Sequence, residues 1–305
     1  MTKIEVTILG TTAGIPTKER AHPAIYLSYQ YRNEFCYLFD CGEGTQRQIL
    51  LADLNPMKLD GIFITHWHGD HYIGLPMLVE SMGLENRTKP LDIYAPGAKR
   101  VENLIDLYYY SSKGFEIILK DVPAEDGEIT NLLETNDFRI VSTPVEHGLP
   151  AVAYGLLERD KVNIDLEKAQ QKGLPDRGLI YKEIKEKGKA LFEDREIKLE
   201  DIARVEKGKK FVYSGDTQIC DNLIKLAQQA DLLIQDCTYF EESDKSEEYG
   251  HASLNQVIEM VYKTKVKTTV LTHISRKYRD PEELKERIKD YPNFKIAEDF
   301  MRIVI

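Results

Sequence analysis

The chain has 305 residues, a formal net charge of −10 and a hydrophobic fraction of 42%, which is ordinary for a globular protein. An acidic total argues against a protein that coats nucleic acid over its whole surface, and no apolar run approaches the roughly 18 residues that a membrane helix needs. The chain begins without the apolar core of a signal peptide, and its four cysteines form no CxxC pair. These features predict a cytoplasmic protein without a membrane segment.

Five short apolar runs predict strands, and each leads into a residue that can bind a metal ion or a proton. They are residues 37–39 before Asp40, 61–65 before His66, 138–143 ahead of His147, 211–215 before Asp216 and 268–272 before His273. Helical periodicity predicts helices between them, at 44–51, 76–82, 221–230, 253–262 and 281–289. Strands that release polar residues at one end build a site along one edge of a sheet. The pattern therefore predicts an α/β protein.

Residues 157–210 interrupt this alternation. They are rich in lysine and poor in long apolar runs, as in the stretch YKEIKEKGK at 181–189. One interpretation is a solvated, mobile insertion with alternating charges. The other is an arm that contacts an extended polyanion. We expect one domain over 1–305 that carries this segment as an insertion.

The most informative motif is the hexapeptide His66-Trp67-His68-Gly69-Asp70-His71, which holds three of the seven histidines. At the end of a strand, His66 and His68 point the same way because side chains alternate with a period of two, so both can bind one metal ion. Asp70 and His71 can reach a second ion nearby. Imidazole suits zinc, and a carboxylate can bridge two ions.

Three further histidines follow apolar sequence, namely His147, His251 and His273, and only His22 lies outside the pattern. Any one of them alone could be a histidine satisfied within the core. Together with Asp70 and Asp216, however, these histidines and those of the hexapeptide supply enough donors for two adjacent metal sites.

The hexapeptide is the HxHxDH signature of the metallo-β-lactamase superfamily, which the chain resembles from end to end. The resemblance implies an αββα sandwich with two zinc ions per subunit. It assigns one ion to His66, His68, His147 and Asp216, and the other to Asp70, His71, Asp216 and His273. It also implies that Asp40 orients a ligand histidine. Di-iron relatives carry a carboxylate where this chain has His68, so zinc and hydrolysis are favoured.

Four segments narrow the resemblance to ribonuclease Z, which trims the 3′ trailer of precursor tRNA. They are the loop at 10–20, similar to PxKxRN; 40–48, similar to DxGEGTQxQ; 250–253, similar to GHST; and 271–278, similar to THxSxRY. The chain departs from the family at Ala21, where asparagine is usual, and at Lys277, where arginine is usual. Residues 235–238 read QDCT in place of HEAT, and the insertion lacks the usual Gly-Pro pair.

The resemblance also implies the roles of individual residues. Asp70 would accept a proton from the attacking water, and His251 would act as general acid toward the leaving 3′ oxygen. Lys18, Arg20 and Lys277 would contact the RNA. The products would be a tRNA with a 3′ hydroxyl and a trailer with a 5′ phosphate. The enzyme would be a homodimer in which the arm of one subunit clasps tRNA bound at the other.

Two other interpretations stay open at this point. A hydrolase of small molecules, such as a cyclic-nucleotide phosphodiesterase or an arylsulfatase-like enzyme, would keep every metal ligand but have no use for a lysine-rich arm. A non-enzymatic RNA-binding protein that inherited the fold would be expected to have lost a ligand or His251, and none is missing.

Overall fold

A computed structural model describes residues 2–107, 114–125, 127–241 and 249–305. The chain divides into two compact units. The first, which we call the sandwich unit, comprises Met1–Thr135, Arg139–Leu156 and Lys210–Ile305. The second, the insertion unit, comprises Asn136–Phe138 and Leu157–Lys209.

Two seven-stranded sheets form the sandwich unit, and a two-stranded pair joins β2 (Thr12–Ala13) to β18 (Ile274–Ser275). The first sheet has the order β20-β1-β3-β4-β5-β6-β7, with bounds β1 Lys3–Gly10, β3 Ala24–Gln30, β4 Glu34–Phe39, β5 Leu59–Phe63, β6 Leu91–Ala95, β7 Ile117–Asp121 and β20 Arg302–Val304. The second has the order β19-β17-β16-β15-β10-β9-β8, with bounds β8 Thr130–Glu134, β9 Phe138–Val145, β10 Ala151–Glu158, β15 Lys210–Tyr213, β16 Leu232–Asp236, β17 Thr269–Thr272 and β19 Phe294–Ile296.

Aromatic side chains from both sheets fill the space between them. Phe39 on β4 lies 5.1 Å from the ring of Phe63 on β5 and 5.5 Å from that of Phe211 on β15, between centroids. Tyr154 on β10 meets Phe63 edge-on at 5.3 Å, and its hydroxyl donates to the carbonyl of Ile64. Each such pair adds about 0.5–1.5 kcal/mol beyond burial of its area. The apolar alternation of the strands therefore builds one core between two sheets.

Helices cover the outer faces of the sheets. Their bounds are α1 Thr45–Leu51, α2 Gly69–Tyr72, α3 Leu75–Leu84 and α4 Lys99–Leu107, then, after three helices of the insertion unit, α8 Asp221–Ala227, α9 Leu254–Thr264 and α10 Pro281–Arg287. Ile49 of α1 and Leu78 of α3 share a buried cluster with Leu38 and Ile62 of the first sheet. The predicted αββα layering is confirmed, and none of the helices in the described ranges is both long and apolar enough to cross a membrane.

The insertion unit has a small apolar core of its own. Strand β11 (Lys161–Ile164) pairs with β14 (Ala203–Glu206), and β12 (Lys189–Phe192) pairs with β13 (Arg195–Lys198). Its helices are α5 Leu166–Gln171, α6 Ile180–Lys187 and α7 Leu199–Ile202. The core consists of Ala169, Leu174, Ile184, Ala190, Ile197 and Ile202. The segment is thus more compact than a wholly solvated insertion, because apolar residues that are isolated along the chain meet in space.

Candidate metal centre

The hexapeptide begins three residues after β5 ends at Phe63, and its first two histidines converge with a third from the other sheet. His68 Nδ1 lies 3.0 Å from His66 Nε2 and 3.0 Å from His147 Nε2. Asp216, which follows β15, places Oδ2 3.7 Å from His66 Nε2. The ligand atoms of these four residues all lie within 4.8 Å of one another. This group can hold one metal ion.

A second group lies beside the first and shares Asp216 with it. Asp70 and His71 belong to α2, and His273 follows β17 directly; their ligand atoms also lie within 4.8 Å of one another. Asp216 Oδ2 is 3.2 Å from His71 Nε2 and 3.2 Å from His273 Nε2. Asp70 Oδ2 is 3.6 Å and 3.5 Å from the same two nitrogens. One carboxylate oxygen of Asp216 therefore faces both groups.

Hydrogen bonds fix the orientation of four of these imidazoles, each through Nδ1. The acceptors are Thr65 Oγ1 for His66 at 3.0 Å, Asp40 Oδ2 for His71 at 2.7 Å, the Gly250 carbonyl for His147 at 2.9 Å and Thr238 Oγ1 for His273 at 2.8 Å. Since Nδ1 carries the proton in each case, Nε2 presents its lone pair to the site.

Asp40 lies fully buried beneath the second group. Besides His71 Nδ1, it accepts hydrogen bonds from the Thr65 amide at 2.8 Å and from the Tyr213 hydroxyl at 2.7 Å. These partners satisfy the buried carboxylate by hydrogen bonding, and the carboxylate holds the imidazole of His71 in one orientation.

The donor set fits a cation. Among the described residues, His71 Nε2 and His273 Nε2 are buried and lack a hydrogen-bond partner, which is costly unless something occupies the space between them. Burial opposes charge on His71, but the carboxylates of Asp216 and Asp40 outweigh it and raise its pKa well above the ordinary value. Burial and the nearby imidazole of His71 lower the pKa of His66 well below its ordinary value. Buried imidazole nitrogens beside carboxylates that favour a positive charge are the surroundings that a divalent cation satisfies.

Sequence reasoning missed Asp236, which partners His251. Asp236 ends β16, and its Oδ2 accepts a hydrogen bond from His251 Nδ1 at 2.8 Å. Burial would lower the pKa of His251, but the Asp236 carboxylate outweighs it and raises that pKa. The signal was present at 235–238, where the chain reads QDCT and keeps an acidic residue at the second position.

Asp236 also lies within reach of Asp216, His251 and His273, so geometry alone would allow a third metal group. Both of its oxygens already accept hydrogen bonds from the protein, however. Oδ1 accepts from the Thr238 hydroxyl at 2.8 Å, and Oδ2 accepts from the Thr217 amide at 3.2 Å in addition to His251. We therefore interpret Asp236 as the partner of His251.

The three residues expected to contact RNA lie outside the metal groups. Lys18 is exposed in the loop between β2 and β3. Arg20 is turned inward, because its Nη1 donates to Thr11 Oγ1 and to the Ala297 carbonyl, each at 2.7 Å. The Lys277 ammonium lies 4.6 Å from the ring centroid of Tyr278. Lys18 and Arg20 line a cavity of about 920 Å³.

Comparison with known proteins places the chain in a family. The family model for the metallo-beta-lactamase superfamily matches residues 23–161, and that for the beta-lactamase superfamily domain matches 202–274. Ribonuclease Z of Methanothermobacter thermautotrophicus is 37% identical over 99% of this chain and 97% of its own length. Ribonuclease Z of Thermococcus kodakarensis is 39% identical over 94% of this chain and 88% of its own length.

The chain belongs to the ribonuclease Z family. The crystal structure of the short form of human tRNase Z superposes with a TM-score of 0.70 at 26% identity, and the match covers 98% of both chains. Ribonuclease Z relatives thus share the fold over nearly the full length of this chain.

Proposed function

We propose that this protein is a metal-dependent endoribonuclease that removes the 3′ trailer from precursor tRNA, leaving a 3′ hydroxyl on the tRNA and a 5′ phosphate on the trailer. The observation that carries the proposal is the convergence of seven metal-binding side chains at one edge of the sandwich, in a chain of the ribonuclease Z family. The hydrogen-bonded pair of His251 and Asp236 beside this cluster adds a proton donor.

The ligands proposed for the first zinc ion are His66, His68, His147 and Asp216, and those for the second are Asp70, His71, Asp216 and His273. The donors are nitrogen and oxygen atoms in the numbers that zinc prefers. When bound, two such ions would lower the pKa of a water and offset charge on the phosphate. The loading of zinc, and of two ions per subunit, is part of the proposal.

The chain's own residues would move the protons. Asp70, whose carboxylate belongs to the second group, would accept the proton of the attacking water. His251 uses Nδ1 to bind Asp236, so Nε2 is the nitrogen that can donate a proton to the leaving 3′ oxygen. Asp236 would hold the ring in this tautomer and stabilise its charge, as a buried carboxylate does in other acid–base pairs.

Binding of the tRNA body would rely on positive charge distant from the chemistry. Lys18 and Lys277 are the candidates in the sandwich unit, and the exposed lysines of the insertion unit would contact phosphates. Because its Nη1 is bonded within the protein, Arg20 would mainly brace the loop that presents Lys18. A cytoplasmic location remains a prediction.

A homodimer is proposed from the family and is supported by one surface. Leu50 of α1 and Met77 and Leu84 of α3 are 61%, 51% and 72% exposed. Leu50 is one helical turn from Gln46, and Met77 and Leu84 are each about one turn from Ser81. Helical spacing therefore places all three near the point where Gln46 donates to Ser81 and the two helices meet. Apolar side chains grouped in this way are typical of a self-complementary interface. We expect Leu50→Glu with Leu84→Glu to give a monomer by light scattering, whereas Leu191→Glu, an equally exposed leucine of the insertion unit, leaves the dimer intact.

The experiment that tests the function uses the zinc-loaded protein and a precursor tRNA with a short 3′ trailer. We expect a single cut near the discriminator nucleotide that leaves a 3′ hydroxyl, and its loss on addition of a chelator. Mature tRNA lacking a trailer is the matched control. Absence of any cut, together with rapid hydrolysis of a small phosphodiester, would overturn the proposal in favour of a small-molecule hydrolase.

A further inference from the structure

His22 is the one histidine that neither the sequence pattern nor the metal groups include. It lies at the end of the loop that follows β2, and its side chain is only 11% exposed. Its Nε2 is 3.0 Å from the carbonyl oxygen of Gly14. Because a carbonyl can only accept, Nε2 carries the proton and donates it. His22, near the end of the loop, is therefore hydrogen-bonded to Gly14, the first residue of the loop.

Gly14 connects this bond to the metal centre. Its amide donates to Asp70 Oδ2 at 2.9 Å. The same oxygen is 3.6 Å from His71 Nε2 and 3.5 Å from His273 Nε2, so it is the Asp70 oxygen that faces the other ligands of the second group. Gly14 has a φ of +64°, a conformation that favours glycine. His22 thus binds the carbonyl of Gly14, and Asp70 binds its amide. The loop requires glycine at this position because of its positive φ.

Close packing keeps His22 beside Asp70. A Cβ added at Gly42 would lie 2.4 Å from the Cβ of His22 and 2.2 Å from the carbonyl oxygen of Asp70. Such distances are impossible for a real side chain, so only glycine allows His22 and the Asp70 backbone to approach the same point. Gly42 belongs to the DCGEGTQ segment, and this contact gives it a physical role.

We propose that His22 is a positioning residue for the reaction. By holding the Gly14 carbonyl, it keeps the Gly14 amide on Asp70 Oδ2, and this bond selects which oxygen of Asp70 faces His71 and His273. The inference rests on the proposed function for its reaction, since Asp70 is assigned there as a metal ligand and proton acceptor. Groups that orient a metal ligand typically change metal affinity or activity by about 10–100-fold when they are removed.

The test compares His22→Leu with His22→Gln. Leucine fills similar space without a donor, whereas the glutamine amide offers a donor at nearly the position of Nε2. For His22→Leu we expect kcat to fall about 10–100-fold with KM within about twofold of wild type. We also expect weaker binding of one of two Zn²⁺ ions, measured by competition with a coloured chelator. His22→Gln should restore most of both quantities.

Each variant is assayed on precursor tRNA and on a small phosphodiester, and its melting temperature is recorded. Wild-type kcat and Zn²⁺ affinity in both variants would overturn the proposal, because the bond to Gly14 would then be dispensable. Equal losses in both variants would also overturn it, since the effect would follow packing and not the donor. If wild type cleaves only the small phosphodiester, the proposed function fails, and that substrate and the Zn²⁺ titration still decide the role of His22.

Discussion

The two units of the chain hold their charged groups in opposite ways. In the sandwich unit, Asp216, His71 and His273 are buried, and hydrogen bonds from neighbouring residues fix both histidine rings. In the insertion unit, Lys182 and Lys187 are exposed and pair with neighbouring glutamates on the same helix. Buried charges act through geometry, whereas exposed charges act through a field that salt screens. Substitution of the buried charged residues in the sandwich unit should therefore abolish catalysis. Substitution of the exposed lysines in the insertion unit should weaken the binding of RNA.

The largest effect is expected at the residue shared by the two metal groups. Asp216→Asn removes the charge that faces both, so we expect activity on every phosphodiester to fall by about 10³-fold or more and Zn²⁺ binding to weaken at both sites. Kinetics and metal analysis of the purified variant measure this. The matched control is Asp221→Asn, the same change at an exposed position of α8. Retention of both ions by the Asp216 variant would contradict our ligand assignment.

The next largest effect should separate proton transfer from metal binding. His251→Gln removes the proposed general acid, so we expect kcat on precursor tRNA to fall about 10²–10⁴-fold, with metal content and KM near wild type. Asp236→Asn should cause a smaller loss in the same direction, because the ring remains but its partner cannot stabilise its charge. A loss of bound metal in either variant would show that these residues belong to the ligand set instead.

The comparison between the units is tested most directly by charge removal from α6. Replacing Lys182, Lys185 and Lys187 by glutamine should raise KM for precursor tRNA and leave hydrolysis of a small phosphodiester unchanged. The dependence of binding on log salt should become shallower by about 0.7–0.9 for each phosphate that the protein no longer neutralises. Glutamine at Lys225, Lys263 and Lys289 in the sandwich unit makes the same charge change and should alter neither quantity. An unchanged KM in the α6 variant would remove the insertion from tRNA binding.

The smallest effect on chemistry is expected from a change inside the insertion core. Ile184→Ala deletes a fully buried side chain and should destabilise that unit by about 2–5 kcal/mol. Amide hydrogen exchange should accelerate within 157–209, while the sandwich unit and hydrolysis of a small phosphodiester stay as in wild type. Equal acceleration across the sandwich would show that the two units unfold together.

Sequence reasoning identified the donors that the structure brings together because their signal is local. The hexapeptide places four donors in six residues, and the remaining ligands follow apolar runs that become β9, β15 and β17. Asp236 was missed because its partner His251 is fifteen residues away and belongs to another motif. A bond of that kind depends on tertiary packing, and spacing along the chain does not reveal it.

Two other features were out of reach for the same reason. The insertion core brings together six residues that are isolated among charges between 169 and 202, so no periodic window contains them. The inward turn of Arg20 depends on the Ala297 carbonyl near the end of the chain. In both cases the decisive contact joins segments that are distant in sequence. The strands and helices that were predicted correctly are instead indicated by the periodicity of apolar residues close together in the sequence.

The origin of the ligands has a consequence for folding. His66, His68, Asp70 and His71 follow a strand of the first sheet, whereas His147, Asp216 and His273 follow strands of the second. Bound ions would therefore link the segments that follow the first sheet to those that follow the second sheet. A ligand that binds only the folded state stabilises it by about 2.7 kcal/mol when its free concentration is a hundred times its Kd. Metal supply would then affect the stability of the folded protein as well as its rate, and the metal-depleted chain would unfold more readily.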